Sequence, residues 1–168
     1  MKGILFAAIG LVMSGIAFAD PPSENVLKSC LRGQSVSPAV TMRNLNVSKV
    51  AQKDNYVDGL DAIYMFEYRG ADAGYAEGKV GQALIYLGRA YRLSKSISVV
   101  GNNGIKRSAF DPTLAQWSVV NKAAQKYFCV SFNFDGLGRS GSFQNVRGGY
   151  LLDTKSKILY FVVRDISK

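Results

Sequence analysis

The sequence predicts a small α+β domain: an antiparallel sheet with helices packed on one face, a C-terminal β-hairpin and one disulfide. Three observations point there. Segments of helical and of strand periodicity follow in the order helix, strands, helix, antiparallel strands. The clearest helix start, Asp111-Pro112, opens the second helical segment, and the only two cysteines are Cys30 and Cys129.

The first nineteen residues have the three parts of an export signal. Lys2 supplies the positive start, residues 3–16 form an apolar run shorter than the ~20 residues of a membrane span, and Ala17-Phe18-Ala19 offers small residues where a signal peptidase reads them. Cleavage is expected before Asp20, leaving residues 20–168 as one exported domain with no integral membrane segment. That length falls in the roughly 100 to 200 residues usual for a single domain.

In an oxidising compartment two cysteines allow one intramolecular pairing, Cys30 with Cys129. The alternatives are buried free thiols or a thiol that pairs with another molecule.

After Pro21-Pro22, Ser23 is placed to cap a helix reaching Arg32, since Val26, Leu27, Cys30 and Leu31 share one face and Gly33 stops it. Residues 40–50 alternate weakly and read as a strand. Residues 60–68 (LDAIYMFEY) are rich in aromatic and apolar residues between Asp58-Gly59 and Gly70, and read as a buried strand. The glycines of 70–78 suggest a loop. In 79–98 the stripe Val80, Ala83, Leu84, Leu87 and Tyr91 favours a helix first, with a strand over 96–100. Residues 101–104 (GNNG) read as a turn.

Over 110–128, Asp111 is a helix cap and Pro112 suits the first helical position. Leu114, Trp117, Val120, Ala124 and Tyr127 then recur on one face, so Trp117 is expected in the core. Residues 128–134 (FCVSFNF) alternate as a strand with Cys129 opposite the aromatic face. Residues 143–152, a turn at 153–157 and residues 158–166 complete the terminal hairpin.

The chain contains no histidine. Serine–histidine and cysteine–histidine nucleophiles and histidine-based metal sites are thereby excluded. No S-x-x-K spacing follows the leader to supply a lysine-activated serine. Asp58, Asp61, Glu67, Asp72 and Glu77 are the densest acids, but Asp58 and Asp61 sit in a turn where aspartate ordinarily bonds the backbone. No catalytic residue, metal site or cofactor is therefore expected. Gly136, Gly138 and Gly141 spell G-x-G-x-x-G, yet a strand rather than a helix follows, against a dinucleotide site.

Charge gives a direction. With 21 lysines and arginines against 12 acids the chain carries +9, which favours acidic partners. The 136–142 loop (GLGRSGS) presents Leu137 and Arg139, and Arg89, Arg92 and Lys95 would share a helix face beside Tyr86 and Tyr91. These are the candidate binding residues. The expected function is a non-enzymatic periplasmic or secreted binding protein that recognises or inhibits a protein partner with an acidic surface, in the manner of immunity proteins. Nucleic acid or an anionic glycan is the second partner class. The competing readings are a small envelope hydrolase or toxin using carboxylates with Tyr or Lys, or a component of an envelope secretion or transfer machine.

Overall fold

The computed structural model describes residues 20–99, 110–133 and 146–165. The expected leader, the 101–104 turn and the 136–142 loop with Leu137 and Arg139 lie outside the described residues.

Strands make up 57% of the described residues and helix 10%, so the expected α+β domain with helices packed on one face is overturned. Two sheets pack on one another, with a single α-helix. The chain runs α1 (Glu24–Arg32), β1 (Thr41–Asn44), β2 (Ala51–Val57), β3 (Leu60–Tyr68), β4 (Ala71–Gly78), β5 (Gly81–Tyr86) and β6 (Arg89–Arg92). A 3-10 turn (Leu93–Lys95), β7 (Ile97–Ser98), β8 (Gln116–Lys122), β9 (Gln125–Asn133), β10 (Val146–Asp153) and β11 (Leu159–Asp165) follow. The first sheet has the order β1-β8-β9-β10-β11-β7 and the second is the meander β2-β3-β4-β5-β6. All pairs are antiparallel except β11 with β7. The chain thus lays down one edge of the first sheet, builds the whole second sheet, returns to lay the opposite edge, and fills the middle last.

The helix forms where expected and is stopped by Gly33 at φ +69°. Ser23 occupies the cap position, but its side chain makes no capping bond; its backbone oxygen accepts from the amides of Val26 and Leu27. Val26, Leu27, Cys30 and Leu31 pack on the outer face of the first sheet against Val120, Tyr127, Cys129, Leu151, Tyr160 and Val162. Cys30 and Cys129 are bridged there, with their Cα atoms 6.0 Å apart. The bridge closes a separation of 99 residues, and chain entropy sets the stabilisation from such a loop at about 4.7 kcal/mol at most. Bridges of this kind persist in oxidising compartments. No helix among the described residues is long and apolar enough to cross a membrane.

The second expected helix, 110–128, does not form. Asp111 caps only a turn: its carboxylate accepts from the Thr113 amide (2.9 Å) and the Thr113 hydroxyl (2.6 Å). The chain then enters β8, reverses at Ala123 and returns as β9. The apparent stripe disperses. Trp117 enters the inter-sheet core, Val120 and Tyr127 lie beneath α1, and Leu114 is 79% exposed. A strand covered on both faces loses its alternation, because Trp117 and Val119 face the second sheet while Ser118 and Val120 lie on the helix side.

The helix expected over the first half of 79–98 is likewise replaced, by β5 and β6. Val80 and Leu87 are exposed, while Ala83 and Leu84 face opposite sides of β5. The turns Asp58-Gly59, Arg69-Gly70 and Leu87-Gly88 each hold two residues at positive φ, as two-residue hairpin connections with type I′ geometry do. The expected 70–78 loop is β4, whose glycine has a structural purpose. A Cβ on Gly74 would stand 1.9 Å from the Tyr64 carbonyl oxygen, and its φ is +142°. Gly74 accommodates the register shift between β3 and β4, after which Tyr64, Phe66 and Tyr68 all point inward.

The inter-sheet core is aromatic. Trp117 stacks on Tyr64 at 5.9 Å and meets Phe66 edge-on at 5.2 Å, and Phe128 packs against Tyr68 and Tyr86. Trp117→Ala is expected to lower the unfolding free energy by about 3–5 kcal/mol, read as a lower urea midpoint at unchanged slope. An unchanged midpoint would place Trp117 outside the core.

Candidate functional site

A sandwich of open sheets has sides where both sheets end, and there side chains of both layers meet solvent. On one side β6 ends the second sheet and β7 ends the first. Between them runs a cleft of about 590 Å³. Arg92, Lys95 and Lys157 line it with positive charge, Asp58 is its one acid, and Ile97, Ile158 and Leu159 supply apolar surface. No strand among the described residues pairs with the outer edge of β6.

The three basic candidates of the expected helix do not share a face. Arg89 lies opposite Tyr86 and Arg92 opposite Ala83, and residues three apart on a strand point to opposite faces. Arg89 therefore stands with Tyr91 on the side toward the other sheet. Burial raises the Tyr91 hydroxyl pKa and the nearby Arg89 charge opposes the rise. Arg92 and Lys95 do come together in the cleft, because β6 is followed at once by the 3-10 turn that ends at Lys95.

Arg92 also holds the fold. Its guanidinium donates to the carbonyl oxygen of Asp58 at 2.8 Å and to that of Val80 at 3.2 Å, tying the β2–β3 and β4–β5 turns to the edge strand. Lys95 has no such anchoring and is exposed. Lys157 stands in the β10–β11 turn at φ +64° and lies 5.6 Å from the Tyr86 ring centroid. Sequence spacing brought Arg92 and Lys95 forward but not Lys157, which sits 62 positions beyond Lys95 and reaches the cleft only because β11 pairs with β7.

Three of the five acids weighed for hydrolysis are engaged elsewhere. Asp61 accepts from the Asn55 amide at 2.8 Å, Asp72 from the Tyr56 hydroxyl at 2.8 Å, and Glu77 from the Tyr75 hydroxyl at 3.3 Å. Burial first, and then the bond to Asp72, push the Tyr56 hydroxyl up to about 12. Among the described residues, Asp58 alone of the five acids lines the cleft. What it can do is attract and seat negative charge beside an apolar strip. Among the described residues no group of His, Cys, Asp or Glu is arranged to hold a metal ion.

The chain matches no known family, no curated protein and no solved structure.

The different anchoring of the two cleft cations is measurable. Arg92→Ala is expected to cost about 1 kcal/mol of stability, as two partly exposed charge-assisted bonds are lost. Lys95→Ala should stay within about 0.5 kcal/mol of wild type, as exposed substitutions usually do. Equal effects on the chemical-denaturation midpoint would contradict this division.

Proposed function

We propose that the protein is a non-enzymatic binding protein of the periplasm or the cell exterior, and that it grips an acidic, extended segment of a protein partner along the cleft beside β6. One observation carries the reading. Among the described residues, three cations and one acid line the cleft together with Ile97, Ile158 and Leu159, and no strand there pairs with the outer edge of β6. Each feature matches part of an acidic strand: the edge takes its backbone by strand addition, Ile97 and Leu159 meet its apolar side chains, and the cations meet its carboxylates. The net charge of +8 that remains once Lys2 leaves with the leader, 20 basic against 12 acidic residues, adds long-range attraction for the same class of partner. The Cys30–Cys129 bridge suits work in an oxidising compartment. Leu137 and Arg139, outside the described residues, are proposed as a further contact with the same partner.

The test is recovery of a partner with a tagged mature chain, repeated with Lys95→Glu/Lys157→Glu. Wild type should retain an acidic protein at low salt and release it as salt rises, and the double variant should lose it while keeping its circular dichroism spectrum. A partner retained equally by both chains would refute the cleft as the contact surface.

A further inference from the structure

A second group of cations lies where the two sheets end at the β3–β4 turn, and it shares no residue with the cleft beside β6. Arg43 on β1 is opposite Val119, and Lys126 on β9 is opposite Asn121. Val119 belongs to the inter-sheet core, so by strand alternation both cations stand on the face of the first sheet that meets the second. Arg69 arrives from the opposite sheet, in the turn after β3. Arg43 and Arg69 line a cavity of about 390 Å³ together with Asn46 and Glu67, over apolar surface from Leu45, Phe66 and Tyr68.

Two further observations set this group apart from ordinary surface charge. Among the described residues no acid lies within ion-pairing distance of Arg43, Arg69 or Lys126. Glu67 shares the cavity without closing on either arginine. Burial, followed by the charges of Arg69 and Arg43, holds the Lys126 ammonium below the usual lysine range, so the three charges act on one another. Two arginines that line one cavity, beside a lysine whose ammonium they hold down, leave positive charge that a bound anion would offset.

We propose that Arg43, Arg69 and Lys126 form a binding site for a tetrahedral oxyanion of the phosphate or sulfate class. The two guanidinium forks supply paired donors that match such oxygens, the ammonium supplies a third positive charge, and Asn46 offers a neutral donor at the rim. The anion relieves the repulsion among the three cations. The apolar surface of Leu45 and Phe66 gives an ester's organic part somewhere to lie.

The experiment is an NMR titration of the full mature chain with inorganic phosphate, inorganic sulfate and phenyl phosphate, following the Lys126 and arginine side-chain signals. Saturable shifts confined to this group are expected, with the Lys126 pKa rising toward its ordinary value on binding. Arg43→Gln and Arg69→Asn should each weaken binding about tenfold, and Asn keeps the left-handed turn accessible. Lys95→Glu should leave it unchanged. Tighter binding of phenyl phosphate than of inorganic phosphate assigns the site to an ester, and equal binding assigns it to the free ion; both support the proposal. Absence of saturation by any probe up to about 10 mM, or affinity unaltered in Arg43→Gln and Arg69→Asn with native spectra, overturns it.

Discussion

The contact between Trp117 and the aromatic face of β3 is the constraint on which the rest of the molecule depends. Two open sheets have no covalent reason to keep one relative position. Here they are keyed by interdigitating rings: Trp117 against Tyr64 and Phe66, Phe128 between Tyr68 and Tyr86, and Phe110 on Phe132 at 4.6 Å. Such pairs carry large buried area and an orientation preference of about 0.5–1.5 kcal/mol each beyond it. The β3 register shift between Ala62 and Tyr64 turns Tyr64, Phe66 and Tyr68 inward while Leu60 and Ala62 stay on the outer face, so the key is cut in β3 and received by β8 and β9.

The other face of the first sheet is closed by a different device. Helix α1 sits over β8, β9 and β10 and is held by the Cys30–Cys129 bridge. Its approach depends on Gly149 in β10, where a Cβ would stand 2.9 Å from Leu31 Cδ2 and 3.5 Å from Cys30 Sγ. Strands β8 to β10 are therefore covered on both faces, and the side chains of this sheet left over for recognition lie at its edges and turns. Charge follows that geometry. Arg92, Lys95 and Lys157 gather along one side of the sandwich, and Arg43, Arg69 and Lys126 at the β3–β4 end.

Elements marked by local chemistry were legible in the sequence, even β9 and β10 with both faces covered, whereas β8, covered likewise but led by a helix-start signal, and the alanine- and glycine-rich β4 were not. Helix α1 has an amphipathic face and a glycine stop, β3 has bounding turns, β9 alternates about Cys129, and the terminal hairpin has two apolar arms. All four stand where their residues indicate. Asp111-Pro112 is a genuine local signal that starts a turn, but β8 behind it is apolar on both faces, and its spacing imitates a helix. β4 failed to read as a strand because its alanines and glycines carry no β preference; they are small because the β3 backbone presses on Gly74 and the outer-face cluster packs around Ala76. Of the candidate site, Arg92 and Lys95 were visible as basic residues near tyrosines. Lys157 and the Arg43, Arg69 and Lys126 group were not, since only pairing between distant strands brings them together.

Because every opening proposed for recognition exists only if the sheets stack in this register, the direct measurement is the inter-sheet contact itself. Proton NMR of the oxidised mature chain should show nuclear Overhauser effects from the Trp117 indole to the Tyr64 and Phe66 rings, with strand-type chemical shifts over residues 116–122. Helical shifts across 112–127, or a Trp117 indole without contact to the β3 aromatics, would contradict the sandwich and with it both recognition sites.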